Sequence, residues 1–266
     1  MFDSIAGDYD ALNHILSLDV DKIWRRKALK QIVDAPAPAR VLDLACGTGD
    51  FSIAIAKALS RSHKRVGTPI EAHVKAPAKV PVEAQVTSTG FVTGDSGRSD
   101  LMTKGHVTGV DLSEGMLAVM REKVAKAGLT EMISIEEGDG ENLRFPDNTF
   151  DRITIAFGIR NFENREKGLR EMLRVLKPGG RLVILELSRP KNKIIRWFYD
   201  LYFLHILPKV GGKVSGDKAA YAYLPASVAA FPGKKAFMAT MREAGFRAVT
   251  HKAFTLGICR MYTGEK

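Results

Sequence analysis

The run from Val41 to Phe51, "VLDLACGTGDF", constrains this chain more than any other stretch. Its first residues are too apolar for a surface loop and too few for a helix, so they read as a short buried strand. Gly47 and Gly49 follow, and "DFSIAIAKAL" then repeats apolar residues at helical spacing. A strand, a glycine turn and a helix in that order make a seat for a nucleotide-like cofactor. The glycines allow sharp bends and close approach of a ligand. The helix start directs amide groups and partial positive charge toward the turn, where a pyrophosphate or an amino-acid carboxylate would be welcome. Alone, the glycine pair fits a nicotinamide enzyme, a methyltransferase or a tight turn in a structural protein. Ser52 stands where a dinucleotide fingerprint has Gly or Ala, a departure too small to exclude NAD.

The same alternation continues along the chain. "HVTGVDLS" reads as a strand, with Ser113 capping the helix "EGMLAVMREKVAKAG" and Gly128 ending it. "MISIEEGD" and "FDRITIAFGI" are strands; "NREKGLREMLRVLK" is a helix stopped at Pro178, and "RLVILELS" is a fifth strand. Repeated strand and helix predict an α/β, doubly wound and mostly parallel sheet. After the helix "KKAFMATMREAGF", the runs "RAVTHKAF" and "GICRMYTGE" are joined by a turn containing Gly257 that is too short for a parallel crossover. They are expected to pair antiparallel, which weighs against the all-parallel dinucleotide sheet.

Two segments lie outside this alternation. Residues from about Leu12 to Val33 carry apolar side chains at helical spacing and predict an N-terminal helical cover, spanning 1–38 with its stop at Pro36 and Pro38. Residues 61–105 lose their aromatics except Phe91 and gain Pro69, Pro77 and Pro81 among Ser, Thr, Gly and Lys, which predicts a flexible surface insertion ahead of a small hairpin built on its valines. One domain, 1–266, accommodates all of it.

Removing that insertion restores a spacing. A ribose-binding acid is expected at the end of the next strand, about 20 residues past the glycines. Asp111 ends that strand but lies much further on, and subtracting 61–105 brings it to the expected interval. Its carboxylate can accept bonds from both ribose hydroxyls. Asp139, at the end of the third strand, can accept the exocyclic amine of an adenine, with Leu143 or Phe145 near the ring face.

Composition excludes more than it selects. No apolar run is long enough to cross a bilayer, and the N-terminus lacks a basic stretch followed by an apolar one, so a cytoplasmic location is the default. Cys46 and Cys259 form no metal or disulfide spacing, and no metal site is expected. The formal charge of +10 is scattered, without an arginine-rich arm, so peripheral attraction to membrane phosphates ranks above nucleic-acid binding.

The stretches "VLDLACGTGDF", "GVDLSEGML", "EGDGENLRFPDNTFD" and "RVLKPGGRLVILELS" resemble the successive motifs of class I S-adenosylmethionine-dependent methyltransferases. "YDALNHILSLDVDKIWRR", "AFGIRNFENREKGLREMLRVLKPGG", "FYDLYFLHILPKVGG" and "MYTGEK" narrow the resemblance to the ubiquinone/menaquinone biosynthesis C-methyltransferases, the UbiE/MenG family. It implies a Rossmann-like, seven-stranded, mostly parallel sheet with a C-terminal antiparallel pair, and S-adenosyl-L-methionine as cofactor. It implies methylation of a ring carbon of a polyprenylated quinol, demethylmenaquinol to menaquinol, with the ubiquinone precursor as a further acceptor. The cofactor positions it matches are Thr48, Asp111, Asp139 and Gly140, with Asp43, Gly47 and Gly49 in the glycine-turn motif.

Carbon methylation needs an electron-rich ring, which a hydroquinone supplies when a ring hydroxyl loses its proton. Arg160 and Asn161, at the end of the fourth strand, are candidates to stabilise that phenolate. Tyr9, Asp10, Asn13 and His14 of the cover are candidates to accept or relay the proton, His14 having the most suitable ordinary pKa. Residues 190–233, with the apolar "IIRWFYDLYFLHILP", form the expected substrate lid, where a prenyl groove and a membrane-contacting face are equally expected beside core packing. Lys209, Lys213 and Lys218 suit phospholipid head groups. Relative to that family the chain begins late, at "MFDSIA", and has Ala156 where many relatives carry a hydroxyl. The rival readings are another small-molecule or lipid methyltransferase of this fold and a non-catalytic cofactor-binding scaffold; a monomer and an oligomer are both compatible with the sequence.

Overall fold

Val41, Leu42 and Leu44 have no solvent exposure at all, so their strand lies at the centre of a layered structure. The computed structural model describes residues 19–35, 39–66, 105–202 and 218–266. In chain order these form α1 (Val20–Ile32), β1 (Arg40–Leu44), α2 (Asp50–Val66), β2 (His106–Asp111), α3 (Glu114–Lys126) and β3 (Ile133–Glu137). Then come β4 (Phe150–Ala156), α4 (Arg165–Val175), β5 (Leu176–Leu187), α5 (Lys193–Leu201), α6 (Lys218–Ala230), α7 (Lys234–Glu243), β6 (Arg247–Phe254) and β7 (Cys259–Glu265).

The strands make one sheet in the order β3-β2-β1-β4-β5-β7-β6. The first five pair in parallel. β7 pairs antiparallel with both β5 and β6, so it alone runs against the rest. The antiparallel pair expected from the short turn at Gly257 is present. β1 sits between β2 and β4, where strand order reverses, and such a reversal opens a crevice at the strands' C-terminal ends. Side chains alternate between two cores. Val41, Val183 and Leu185 face one that includes Ile32, Phe51, Ile55 and Met120. Leu42, Leu44, Leu182 and Ile184 face the other, with Ile153, Leu169 and Phe237.

Local chemistry sets the boundaries. The Ser113 hydroxyl accepts from the Met116 amide at 3.3 Å, the cap expected for α3, and Gly128 takes φ 64 at its end. α1 begins at Val20, after Asp19 at φ 60; the part of the expected helical stretch from Leu12 to Leu18 lies outside the described residues. Two boundaries depart from expectation. α2 runs to Val66, into the segment assigned to the insertion, since residues 61–66 contain neither Gly nor Pro to stop it. β5 begins at Leu176, ahead of Pro178: Leu176 pairs with Phe150, and a bulge through Gly179 (φ 74) precedes the pairing of Arg181 with Arg152. Among the described residues, no helix is long and apolar enough to cross a membrane.

Candidate active site

The glycine turn packs too tightly for most residues. Gly47 and Gly49 take φ 55 and 82, and a Cβ on Gly49 would lie 2.4 Å from Met120 Cγ. Its amides are directed into the protein. The Cys46 amide donates to Val110 O at 3.2 Å, that of Gly47 to Asp111 Oδ2 at 2.8 Å, and that of Gly49 to Cys46 O at 3.0 Å. These three amides are therefore engaged within the turn, and an incoming pyrophosphate or carboxylate would have to meet the helix start beyond Gly49.

Asp43 lies beneath the turn, fully buried, and accepts the Ser52 hydroxyl at 2.6 Å. Burial pushes its carboxyl up to about 7, against the opposing pull of the Ser52 hydrogen bond and the charge of Arg25. Ser52 therefore stands where Gly or Ala would leave a buried acid without this donor. Thr48 is buried too, its hydroxyl accepting from Lys123 Nζ at 3.3 Å, and Lys123 also pairs with Asp50.

A cavity of about 330 Å³ opens over the C-terminal ends of β1, β2 and β4. Gly47, Asp111, Asp139, Gly140 and Asn161, all expected at the site, line it together. Asp111 is held at both oxygens: Oδ2 by Gly47, and Oδ1 by the Ser113 amide at 3.0 Å. Asp139 Oδ1 accepts from the Glu141 amide at 2.8 Å. A Cβ on Gly140 would come within 2.6 Å of the Phe162 ring, so glycine here lets that ring form a wall. Among the described residues, the charged ones lining it are Asp111, Asp139, Glu141 and Glu163, with no Lys, Arg or His. In a chain of charge +10, this is a locally acidic, cation-seeking site.

Several lining residues escaped the sequence reading. Leu143 is buried in the second core and Phe145 stands edge-on to Phe150 at 5.0 Å, so neither provides the expected ring face. Leu112, 68 % exposed, and Phe162 provide apolar walls in their place. Leu112 directly follows Asp111, and its position at a strand tip was the signal available.

Arg160 lies behind the cavity. It is buried, its Nη1 pairs with Glu186 Oε1 at 3.0 Å and also meets Phe157 O, and its Nε donates to Ser227 Oγ at 3.2 Å. Its amide donates to Glu186 Oε2 at 3.1 Å. Glu186 has no exposure, and its place 26 residues away gave no local sign of this pairing. Asn161, one residue on, reaches the cavity and accepts from Tyr223 Oη of α6 at 3.0 Å. Thus α6, in the segment expected to form a lid, meets the site through Tyr223 and Ser227. Asp43, Thr48 and Gly49 shape the turn from below without lining the cavity. Tyr9, Asp10, Asn13 and His14, with Lys209 and Lys213, lie outside the described residues, and only the backbone of Lys218 is described.

Comparison with known proteins bears on this geometry. The family model of the ubiE/COQ5 methyltransferase family matches residues 1–266. The chain is 42% identical over 266 residues to the Geobacter sulfurreducens ubiquinone/menaquinone biosynthesis C-methyltransferase UbiE, covering 100% of this chain and 87% of that protein. It is 40% identical to the Bacteroides fragilis demethylmenaquinone methyltransferase, covering 100% of this chain and 91% of that one. Among solved structures, a SAM-dependent methyltransferase from Aquifex aeolicus superposes with TM-score 0.53 at 20% identity, covering 90% of this chain and 88% of that one. That likeness concerns the fold.

Proposed function

The chain belongs to the ubiE/COQ5 methyltransferase family, and on that premise we propose that it methylates a ring carbon of a polyprenylated quinol, demethylmenaquinol to menaquinol, with S-adenosyl-L-methionine as donor. The observation that carries this reading is the cavity whose charged lining, among the described residues, is acidic throughout. A sulfonium donor is cationic at sulfur and at its amino group, which suits that lining; a dinucleotide would bring a pyrophosphate against four carboxylates. A volume of about 330 Å³ falls within the usual range for small-molecule sites.

The residues present fit the cofactor. Asp111, with both oxygens oriented by backbone amides, would hold the ribose hydroxyls, since each oxygen carries a second lone pair. Asp139 would accept from the adenine amine, and Leu112 and Phe162 would flank the ring. When bound, the cofactor supplies an electrophilic methyl group. The chain's own residues then have four tasks. Asn161 and Tyr223 mark the acceptor side of the cavity, where α6 meets it. Ala156 and Phe157 present apolar surface that helps exclude water. Arg160, through Glu186, holds the turn bearing Asn161, so its guanidinium serves to position that turn. We assign removal of the quinol proton to the N-terminal segment, His14 first and Tyr9 second.

The test uses the full chain with methyl-labelled S-adenosylmethionine and a short-chain demethylmenaquinol. Label should enter the quinone ring, and His14→Ala should lower kcat with little change in cofactor affinity. Label on a phenolic oxygen would favour the rival methyltransferase reading. A quinone free of label would overturn ours.

A further inference from the structure

One face of α5 is apolar and turned to solvent. Ile194, Trp197 and Leu201 recur at i, i+3 and i+7; the first two are 69 % and 61 % exposed, while Tyr199, between Trp197 and Leu201, is buried. Alongside stands the β6–β7 turn, whose Leu256 is 73 % exposed. Thr255 and Leu256 both hold left-handed backbones, φ 44 and 55, a conformation unfavourable for a non-glycine residue. The turn is pinned by Trp24 Nε1 donating to Thr255 Oγ1 at 2.9 Å and by Ser188 Oγ donating to Gly257 O at 2.7 Å. Pro190 lies 4.0 Å from where a Gly257 Cβ would be, and Arg196 Nε donates to Pro190 O at 3.0 Å. Turn and helix therefore form one continuous surface, from which an apolar side chain projects although a polar residue would fit the backbone better.

The charge around it is one-sided. Residues 188–202 contain Arg189, Lys191, Lys193 and Arg196 against a single acid, Asp200, which Arg189 neutralises at 2.6 Å. Partial burial, and then the positive charges of Lys234, Arg260 and Lys191, hold the His251 imidazole below its ordinary pKa, so this basic field extends across to β6.

We propose that this surface docks the protein on an anionic phospholipid bilayer, with Ile194, Trp197 and Leu256 entering the boundary between head groups and acyl chains and Lys191 and Lys193 meeting the phosphates. Tryptophan favours that boundary, and lysines beside an anionic surface add electrostatic attraction. The basic charge that suits a bilayer would repel a second copy of the same chain. α5 follows β5, and the turn follows β6, at the sheet edge where the cavity opens. Docking thus brings the cavity beside the lipid phase; the proposal rests on the quinol reading for its purpose.

The chain has two tryptophans and Trp24 is buried, so a fluorescence change on adding vesicles reports Trp197. With the full chain, free of cofactor and quinol, vesicles of phosphatidylcholine mixed with phosphatidylglycerol should shift emission to the blue. Brominated acyl chains should quench it. Pure phosphatidylcholine should do neither. Ile194→Ser, and Leu256→Asn whose side chain suits the left-handed backbone, should each weaken vesicle partition several-fold with circular dichroism unchanged. No blue shift, equal response to both lipids, or a concentration-dependent shift without vesicles (self-association) would overturn the proposal. Turnover of a water-soluble quinol is measured separately, so vesicle failure with turnover kept sinks docking alone, and the reverse sinks the quinol reading alone.

Discussion

Replacing Arg160 with methionine removes the only charged side chain paired with Glu186 among the described contacts. Glu186 would keep two backbone donors, the amides of Arg160 and Leu187, but no counter-charge, in a position without solvent. Breaking a buried pair from one side costs about 3–5 kcal/mol. Against a total stability of about 5–15 kcal/mol, that is a severe loss. Glu186→Met should cost a similar amount, since it leaves a buried guanidinium unpaired. The double variant should recover most of the loss, because well-packed apolar residues often replace a buried pair at little net cost. Urea unfolding of all four proteins measures this, with stability read from midpoints at constant slope. The reasoning fails if Arg160→Met lies within about 1 kcal/mol of wild type, the range of an exposed pair. It fails equally if the double variant is as unstable as the two single losses added together.

Two further substitutions probe the turn. Gly49→Ala forces a left-handed alanine, about 1–2 kcal/mol, and drives a Cβ against Met120, with overpacking costing about 1–3 kcal/mol more; a melting temperature equal to wild type would contradict the close contact. Asp43 is held protonated in the fold up to about pH 7 but ionises in the unfolded chain above its ordinary value. Its contribution is therefore fully present below about pH 4 and lost as pH rises toward 7, a range of about 4 kcal/mol. Asp43→Asn keeps an acceptor for Ser52 without the proton, so between pH 4 and 8 the wild type should lose stability relative to the variant; parallel profiles would show that Asp43 is not buried as described.

What the sequence made legible was local. Ser113 as a cap, Gly128 as a stop, the antiparallel return at Gly257 and Asp111 at a strand tip each follow from neighbours a few residues away. What stayed hidden depends on distant partners. Glu186 meets Arg160 only because β4 and β5 are adjacent, and Trp24 meets Thr255 across most of the chain. The exchange of Leu143 and Phe145 for Leu112 and Phe162 has the same origin. Residues after a strand tip belong to core or crevice according to how the loop folds back, and hydrophobicity alone does not distinguish the two. Gly140, expected as a cofactor residue, lines the cavity, and a steric demand that no local pattern showed adds to this: its missing Cβ leaves room for the Phe162 ring.

The acidic cavity is best tested by calorimetric titration of the full chain with S-adenosylmethionine, with NAD in parallel, for the wild type and Asp111→Asn. Removing a charged hydrogen-bond acceptor should cost about 1.5–3 kcal/mol, roughly ten- to a hundredfold in Kd, while NAD shows no saturable binding to either protein. Unchanged affinity in a folded variant, or wild-type affinity for NAD matching that for the sulfonium, would contradict it.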